Sequence, residues 1–296
     1  MPINLPVLIL LIGSVLWGLT WIPLKYFNQQ GIDGVPLIFI AYGFLGLLLL
    51  PVIIKQFPLW RAGQRYMWLI LLLGGIANLS FALAIVYGDV VRVMVLFYLL
   101  PAWGVLGGKI FLKEDIDKTR WVAVLLALSG AFLVLGGFQL FDAAPSWVDL
   151  LALTAGFALS MNNIAFRASA HLPVVSKIGT QFFGTFILAV LLLVFGAQTM
   201  PAISNTNLGL LIAFGLIWLL AATFATQWAI TKLEVSRASI LIILELITAV
   251  VSAMWIAGER LTLLETVGGI MIIVAAVLEA FRGDGSEAKK NLREIR

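Results

Sequence analysis

The chain has no cysteine, a single histidine and few charged residues. The absence of cysteine excludes disulfides and thiolate metal sites. A catalytic dyad or triad could be built around His171, but a histidine in a loop near a membrane surface is the more common situation. Charged residues make up 11% of the chain and apolar residues 62%. A water-soluble domain of 296 residues is not expected to be so apolar, so the composition indicates an integral membrane protein.

Long apolar segments recur along the chain, each about 20 residues long, which is the length of helix that crosses a hydrocarbon core of roughly 30 Å. Ten are predicted, at 5–26, 34–54, 66–87, 93–112, 121–138, 148–168, 175–197, 208–231, 238–257 and 264–281. Strands of a membrane barrel would alternate in segments of about 10 residues, and these runs do not. The first segment has no basic region before it and no convincing cleavage site, so it predicts a retained helix.

The chain contains an internal repeat, because residues 92–133 align without a gap with residues 237–278 at a constant offset of 145. Identical pairs include Arg92 and Arg237, Leu96 and Leu241, Val105 and Val250, Glu114 and Glu259, and Ala131 and Ala276. The charged turns at 113–115 and 258–260 fall in the same columns. The predicted fold is therefore an all-α membrane protein of ten helices, with one five-helix repeat at 1–138, a second at 148–281 and a polar tail at 282–296.

Lysine and arginine are distributed unevenly between the two predicted sides of the membrane. If all ten segments cross, every lysine and arginine except Lys25, Arg92 and Arg260 lies on the side that holds both termini. The positive-inside rule places that side in the cytoplasm. Each repeat has an odd number of crossings, so the second repeat must enter the membrane upside down. Such inverted repeats are common in secondary transporters.

Polar side chains occur inside several segments, and on some of these helices they form a stripe along one face. They are Asn78 in the third segment, Asn162 and Asn163 in the sixth, Gln181 in the seventh and Thr223, Thr226 and Gln227 in the eighth. They could join neighbouring helices by hydrogen bonds, or line a shared polar cavity, which stripes on several helices favour. Adjacent asparagines cannot both face one direction, so one is expected to face the cavity and the other a neighbouring helix.

Glu245 stands out because it lies eight residues after Arg237, about 12 Å into the bilayer at 1.5 Å per residue. An isolated ionised carboxylate is costly in hydrocarbon, so this carboxyl is expected to be protonated, paired or facing water. It could serve as a counter-charge for a substrate amine or as a proton carrier. A structural hydrogen bond to a neighbouring helix is the alternative.

Aromatic residues also occur at membrane depth. Trp17 and Trp21 share a face of the first segment, and Tyr98 and Trp103 flank Pro101 in the fourth. Their rings can stack on a flat substrate or hold a cation, although tryptophan is also common at membrane interfaces. Pro101 removes a backbone hydrogen bond and can kink its helix.

These residues define a candidate substrate site for a small organic solute. It comprises Trp17, Thr20, Trp21, Asn78, Phe81, Tyr98, Trp103, Asn163, Gln181, Gln227 and Glu245. Its amides suit a carboxylate, its carboxyl an amine and its rings a side chain, which favours amino acids or amphiphilic analogues. A membrane enzyme would need a clustered nucleophile, metal or acid/base pair, which the sequence does not offer. No cofactor, metal or nucleic acid is expected. Membrane lipid is an expected partner, and a monomer and a homodimer are both compatible with the sequence.

Several motifs resemble the EamA family of the drug/metabolite transporter superfamily. They are Trp17-Gly18, Leu100-Pro101, Lys113-Glu114-Asp115, and Ala-Gly-Glu-Arg-Leu-Thr at 257–262 followed by Gly268-Gly269. The resemblance covers nearly all of the chain. It implies a ten-helix inner-membrane transporter with a central cavity that moves amino acids, metabolites or drugs, often outward. A cationic or amphiphilic drug and a non-transporting accessory role remain the alternatives.

The segment 98–103 is similar to aromatic amino acid exporters, but the chain departs from the family at two places. Many members carry a second proline where this chain has Leu246, which argues against symmetric kinking of the fourth and ninth segments. Many also carry a tryptophan in the stretch that holds Asn162 and Asn163, so a preference for aromatic substrates does not carry over.

Overall fold

The computed structural model describes residues 4–32, 34–87, 93, 96–114, 116–134, 137–141, 146–196, 199–257 and 262–281. All regular structure among them is helical. The α-helices are α1 (Leu5–Gly18), α2 (Trp21–Gln29), α3 (Gly34–Gln56), α4 (Gln64–Tyr87), α5 (Leu100–Leu112), α6 (Lys118–Val134), α7 (Trp147–Ala168), α8 (Val174–Val194), α9 (Asn205–Ala213), α10 (Leu220–Lys232), α11 (Val235–Leu241), α12 (Leu244–Ala257) and α13 (Leu263–Phe281). A π-helix at Phe214–Leu219 joins α9 to α10. The predicted tail, Arg92, Arg260 and the turn residues 115 and 258–261 lie outside the described residues.

Six stretches of the described chain are long and apolar enough to cross a membrane. They are Leu5–Gln29, Gly34–Arg61, Gln64–Ile85, Trp147–Ala168, Val174–Val194 and Asn205–Lys232. Ala102–Leu112 and Thr266–Ala275 are shorter apolar helices. Each of the ten predicted segments contains helix, but the crossings of the fourth, fifth, ninth and tenth segments stay predictions.

The helices pack in pairs that the repeat relates to one another. α3 packs on α8 and α6 on α13, which joins the second and fifth segments of one repeat to their counterparts in the other. The contact of α4 with α7 in one half corresponds to the contact of α10 with α1 in the other. In the same way, the contact of α5 with α7 corresponds to that of α12 with α1. An approximate two-fold relation therefore exchanges the halves. The main interfaces lie between the repeats, so the two halves form one interlocked bundle.

Three predicted segments are interrupted. A turn at Leu19–Thr20 separates α1 from α2, a turn at Tyr98–Leu99 precedes α5, and a turn at Ile242–Ile243 separates α11 from α12. At the offset of 145, Tyr98 occupies the same column as Ile243. The fourth and ninth segments are thus broken at equivalent positions.

The two equivalent breaks have different chemical causes. Pro101 has no N–H to bond the carbonyl of Phe97, which opens the turn before α5. The ninth segment has no proline there. Instead, the N–H groups of Glu245 and Leu246 donate to carbonyls three residues earlier, each at 2.9 Å, which is a 3₁₀ pattern. The absence of a proline at Leu246 therefore does not remove the break in the ninth segment.

A helix from the opposite repeat crosses each break. Ser160 Oγ of α7 donates to the carbonyl of Leu100 at 3.2 Å. In the other half, α1 approaches α12 so closely that a Cβ on Gly18 would lie 2.5 Å from the carbonyl oxygen of Glu245. Leu100 and Glu245 are equivalent positions of the two repeats, so the same kind of helix crossing occurs in both halves.

Polar contacts also join the loops on the predicted cytoplasmic side. Glu114 Oε1 accepts a hydrogen bond of 2.7 Å from the backbone N–H of Val235, the first residue of α11. The buried guanidinium of Arg120 pairs with Glu234. Because Glu114 and Arg120 flank the turn of the first repeat, these contacts hold it against the start of the ninth segment.

Candidate functional site

Glu245 lies in the first turn of α12, directly after the break in the ninth segment. Glu245 is half-buried, and protein atoms surround its carboxyl. No ion pair to it is found within the described part of the chain. The N-terminus of α12 favours negative charge or an acceptor at this point. The carboxyl is therefore free to receive a proton or a positively charged group.

Tyr98 brings a phenol to this carboxyl from the other repeat. Its hydroxyl lies close enough to Glu245 for a hydrogen-bonding interaction, yet it has no well-aligned partner among the described residues. Phe97 meets the Tyr98 ring edge-on with centroids 5.4 Å apart, and Phe81 of α4 lies 4.6 Å from Phe97. Three rings thus form an aromatic wall that leads from α4 to the carboxyl.

The candidate residues Trp17, Thr20 and Trp21 surround the break between α1 and α2. Thr20 Oγ1 accepts a 3.0 Å hydrogen bond from the indole N–H of Trp218. Trp21 Nε1 donates to Ser252 Oγ of α12 at 2.9 Å. Trp17 is half-buried and packs against the main apolar core. Trp21 therefore ties this break to the helix that carries Glu245.

The candidate amides bond to one another between helices. Asn163 Oδ1 accepts from Gln227 Nε2 at 3.2 Å, which joins α7 to α10. Asn162 Nδ2 donates to Gln181 Oε1 at 3.4 Å, which joins α7 to α8. All four are buried. The neighbouring asparagines face different helices, and Asn162 Oδ1 and Gln227 Oε1 keep unused acceptor capacity toward the described residues.

Asn78 and Trp103 have other neighbours. Asn78 is half-buried on α4, and its Nδ2 donates to Thr185 Oγ1 of α8 at 3.0 Å. The Trp103 ring meets Phe157 edge-on at 5.7 Å, and Phe157 is 45% exposed. Trp103 thus packs toward an outer face of α7.

The structure divides the eleven candidates into three sets. Phe81, Tyr98 and Glu245 belong to one chain of contacts that passes through Phe97, and Trp21 is bonded to the same helix as Glu245. Asn163, Gln181 and Gln227 belong to the amide contacts around α7, and Trp17, Thr20, Asn78 and Trp103 make separate contacts. No group of three or more histidine, aspartate or glutamate side chains that could hold a metal occurs in the described ranges.

Sequence reasoning missed Tyr42 of α3. Its hydroxyl lies within electrostatic range of the Glu245 carboxyl, and its ring packs 5.6 Å from Phe182 of α8. Tyr42 is the one tyrosine in the second segment, 34–54. The sequence signal that could have identified Tyr42 is its hydroxyl group in the middle of an otherwise apolar helix.

Comparisons with known proteins agree with the repeat and the helical bundle. A model of the EamA-like transporter family matches residues 4–136 and again 146–280. A solved structure described only as the crystal structure of a protein is similar in fold, with a TM-score of 0.73 at 15% identity over 94% of this chain and 99% of that chain. No curated protein matches the chain. Members of the matched family are membrane transporters of small molecules and are not enzymes. Because the model matches both halves, this multi-pass membrane protein belongs to the EamA-like transporter family.

Proposed function

We propose that the protein is a secondary transporter that exports amino acids or similar small organic metabolites across the inner membrane by alternating access. The observation that carries the proposal is the Glu245 carboxyl, which lies among protein atoms at a helix break. Binding sites of transporters built from repeats are typically formed where discontinuous helices from both repeats meet.

The chemistry around Glu245 matches both ends of an amino acid. The carboxyl can receive the substrate ammonium group, and the Tyr98 hydroxyl beside it can orient that group. The N-termini of α5 and α12 lie at the two breaks, and the positive ends of these helix dipoles favour a carboxylate nearby. The half-buried Phe81 ring, which packs on Phe97, can supply apolar surface for a side chain.

The packing between repeats supports the alternating-access part of the proposal. The breaks of the fourth and ninth segments lie in equivalent columns, and each is crossed by a helix of the opposite repeat. Rocking of one half against the other would move both breaks relative to these crossing helices. A central site would thereby be exposed to each side in turn.

The test is exchange of labelled amino acids in proteoliposomes, after a thermal-shift screen has identified a stabilising amino acid. We expect Glu245→Gln to lower exchange at least about tenfold, because the neutral amide loses a charge-assisted bond of about 1.5–3 kcal/mol to the ammonium group. The control is Glu287→Gln, which makes the same chemical change in the polar tail. Unchanged exchange by Glu245→Gln at every pH would falsify the assigned role of Glu245.

Organic cations are a second candidate substrate class, since the aromatic wall of Phe81, Phe97 and Tyr98 leads to the carboxyl. Rings and a carboxyl can bind a cation that has no carboxylate of its own. Competition distinguishes the two classes. An amino acid should inhibit exchange and its decarboxylated amine should not, whereas the reverse order would favour cation export. Absence of both binding and flux would favour an accessory protein.

A further inference from the structure

A cavity of about 580 Å³ lies between the two repeats, apart from the candidate site. Its lining includes Ile9 of α1, Leu49 of α3, Ile178 of α8, and Leu220, Phe224 and Trp228 of α10. These helices all belong to candidate membrane spans. Phe224 is 43% exposed, so the cavity opens sideways, toward the lipid. An apolar cavity at this depth is not a stable place for water.

The equivalent position in the other half is filled. There α4 packs closely on α8, where a Cβ on Gly75 would lie 2.8 Å from the backbone of Gly184. Leu79 and Val35 belong to a compact apolar cluster beside this contact. At the offset of 145, the column of Gly75 holds Leu220. The helix α10 does not make the close contact with α3 that α4 makes with α8, and the cavity lies in the resulting gap.

The dimensions of the cavity match one leaflet of a bilayer. Its lining extends along the eighth segment from Leu216 to Trp228, which is about 18 Å at 1.5 Å per residue. The hydrocarbon of one leaflet is about 15 Å thick, half of the roughly 30 Å core. One extended acyl chain therefore fits the length of the cavity.

A basic rim lies at one end of the cavity. Lys232 is exposed, ends α10, and lies one turn after Trp228 on the same helix face. Its ammonium group is close enough to that of the buried Lys177 for their charges to interact. The Lys177 ammonium is held by the carbonyls of Phe166 and Ser169 at 2.9 and 3.0 Å. Lys232 is thus the side chain that can reach a lipid phosphate from this rim.

We propose that this cavity binds one acyl chain of an anionic phospholipid from the predicted cytoplasmic leaflet, with the lipid phosphate at Lys232. The carbon walls select the chain, and the basic rim selects the negative headgroup. The bound lipid would contact α1 and α3 of the first repeat and α8 and α10 of the second. It would therefore bridge the two halves of the bundle.

The test is native mass spectrometry of the full-length protein released from detergent with phosphatidylglycerol or phosphatidylethanolamine of identical chains. Wild-type protein should retain one phosphatidylglycerol in preference to phosphatidylethanolamine. Leu220→Trp should lower retention about tenfold, because the larger side chain projects into the cavity where the acyl chain would lie. Leu125→Trp makes the same change on the lipid-exposed face of α6 and should retain lipid like the wild type. Equal retention by both tryptophan variants would overturn the proposal.

The headgroup is tested separately. Lys232→Gln should remove the preference for phosphatidylglycerol, whereas Lys118→Gln, at an exposed lysine of α6, should leave it unchanged. Equal retention of the two lipids by the wild type would also contradict the proposed headgroup contact. None of these measurements depends on flux, so their outcome is independent of the transport function.

A second measurement covers the case in which Leu220→Trp does not fold. Trp228 lines the cavity, so phosphatidylglycerol with brominated chains should quench its fluorescence. The quenched fraction should be smaller in Trp228→Phe, in which the remaining tryptophans serve as the internal reference. Identical quenching of both proteins would show that no chain occupies the cavity.

Discussion

Among single residues, Glu245 and Tyr98 determine what the centre of the bundle can bind. A carboxyl inside a membrane protein is costly unless it is protonated or paired, and a buried hydroxyl without an aligned partner loses the hydrogen bonds it would make with water. Glu245 and Tyr98 are neighbouring side chains from different repeats, so both unfavourable free-energy terms are concentrated at one place. A ligand that pairs with both would therefore gain more here than at a satisfied polar site.

Tyr98→Phe tests this view at the level of one oxygen atom. We expect little change in thermal stability, because the hydroxyl has no well-aligned partner among the described residues. The KM for the exported amino acid should rise roughly tenfold, the effect of losing a hydrogen bond of about 1.5 kcal/mol to a charged group. Tyr26→Phe, at an exposed tyrosine of α2, is the matched control and should leave KM unchanged. A marked loss of stability without a change in KM would indicate a structural role for Tyr98.

Not all candidate residues could be placed from the sequence. Glu245 could be singled out from the sequence, because an acidic residue inside an apolar segment is unusual. The partners of Asn162 and Asn163 could not be identified, because the choice between α8 and α10 depends on which helices pack beside α7. For the same reason, the proximity of Tyr42 to Glu245 could not be predicted from the sequence.

At the level of helices, glycines determine which pairs approach closely. A Cβ on Gly184 of α8 would overlap the carbonyl oxygen of Leu71 on α4, so no larger residue fits without movement of the backbone. In contrast, Gly209 of α9 has no atom within 4 Å of the position of a Cβ. Gly184 and Gly209 therefore form a matched pair of positions for comparing the effect of an added methyl group.

Gly184→Ala should destabilise the protein by about 1–3 kcal/mol, the usual cost of overpacking. Gly209→Ala should be neutral or stabilise the fold by up to about 1 kcal/mol, because alanine restricts the unfolded chain and favours helix. The midpoint of thermal unfolding in detergent compares the two. Equal shifts would mean that α4 and α8 are not in close contact.

At the level of helices, the buried Lys177 also stabilises the C-terminus of α7. Lys177 donates to two carbonyls at the C-terminus of α7, and its aliphatic stem is buried. Lys177→Met leaves those carbonyls without their donor and should destabilise the protein by about 1–3 kcal/mol. Lys55→Met, at an exposed lysine near the end of α3, should change stability by less than about 0.5 kcal/mol. The same unfolding measurement applies, and similar midpoints for both variants would contradict the capping role.

At the scale of the whole molecule, an odd number of crossings in each repeat predicts that equivalent helices run in opposite directions through the membrane. Gln64 and Asn205 are the first residues of α4 and α9, which begin the third and eighth segments, and both are exposed. With ten crossings, Gln64 faces the cytoplasm and Asn205 the opposite side. The N-terminal ends of the equivalent third and eighth segments would then lie on opposite faces of the membrane.

Because the chain has no cysteine, single cysteines can report this orientation without background. In intact cells, a membrane-impermeant maleimide should label Asn205→Cys, whereas Gln64→Cys should react only after permeabilisation. Labelling of both variants from the same side would contradict the inverted topology, even if the protein transports normally.

The sequence by itself determined the membrane class, the duplicated halves and the approximate position of the fourth-segment break at Pro101. These properties depend on apolarity summed over about 20 residues, on a fixed repeat and on the chemistry of one proline, all of which are local. Tertiary structure alone decided the break in the ninth segment, the partners of the amides and the gap between α3 and α10. Each depends on how closely helices far apart in the chain can approach, and that distance is determined by glycines and bulky side chains on both partners.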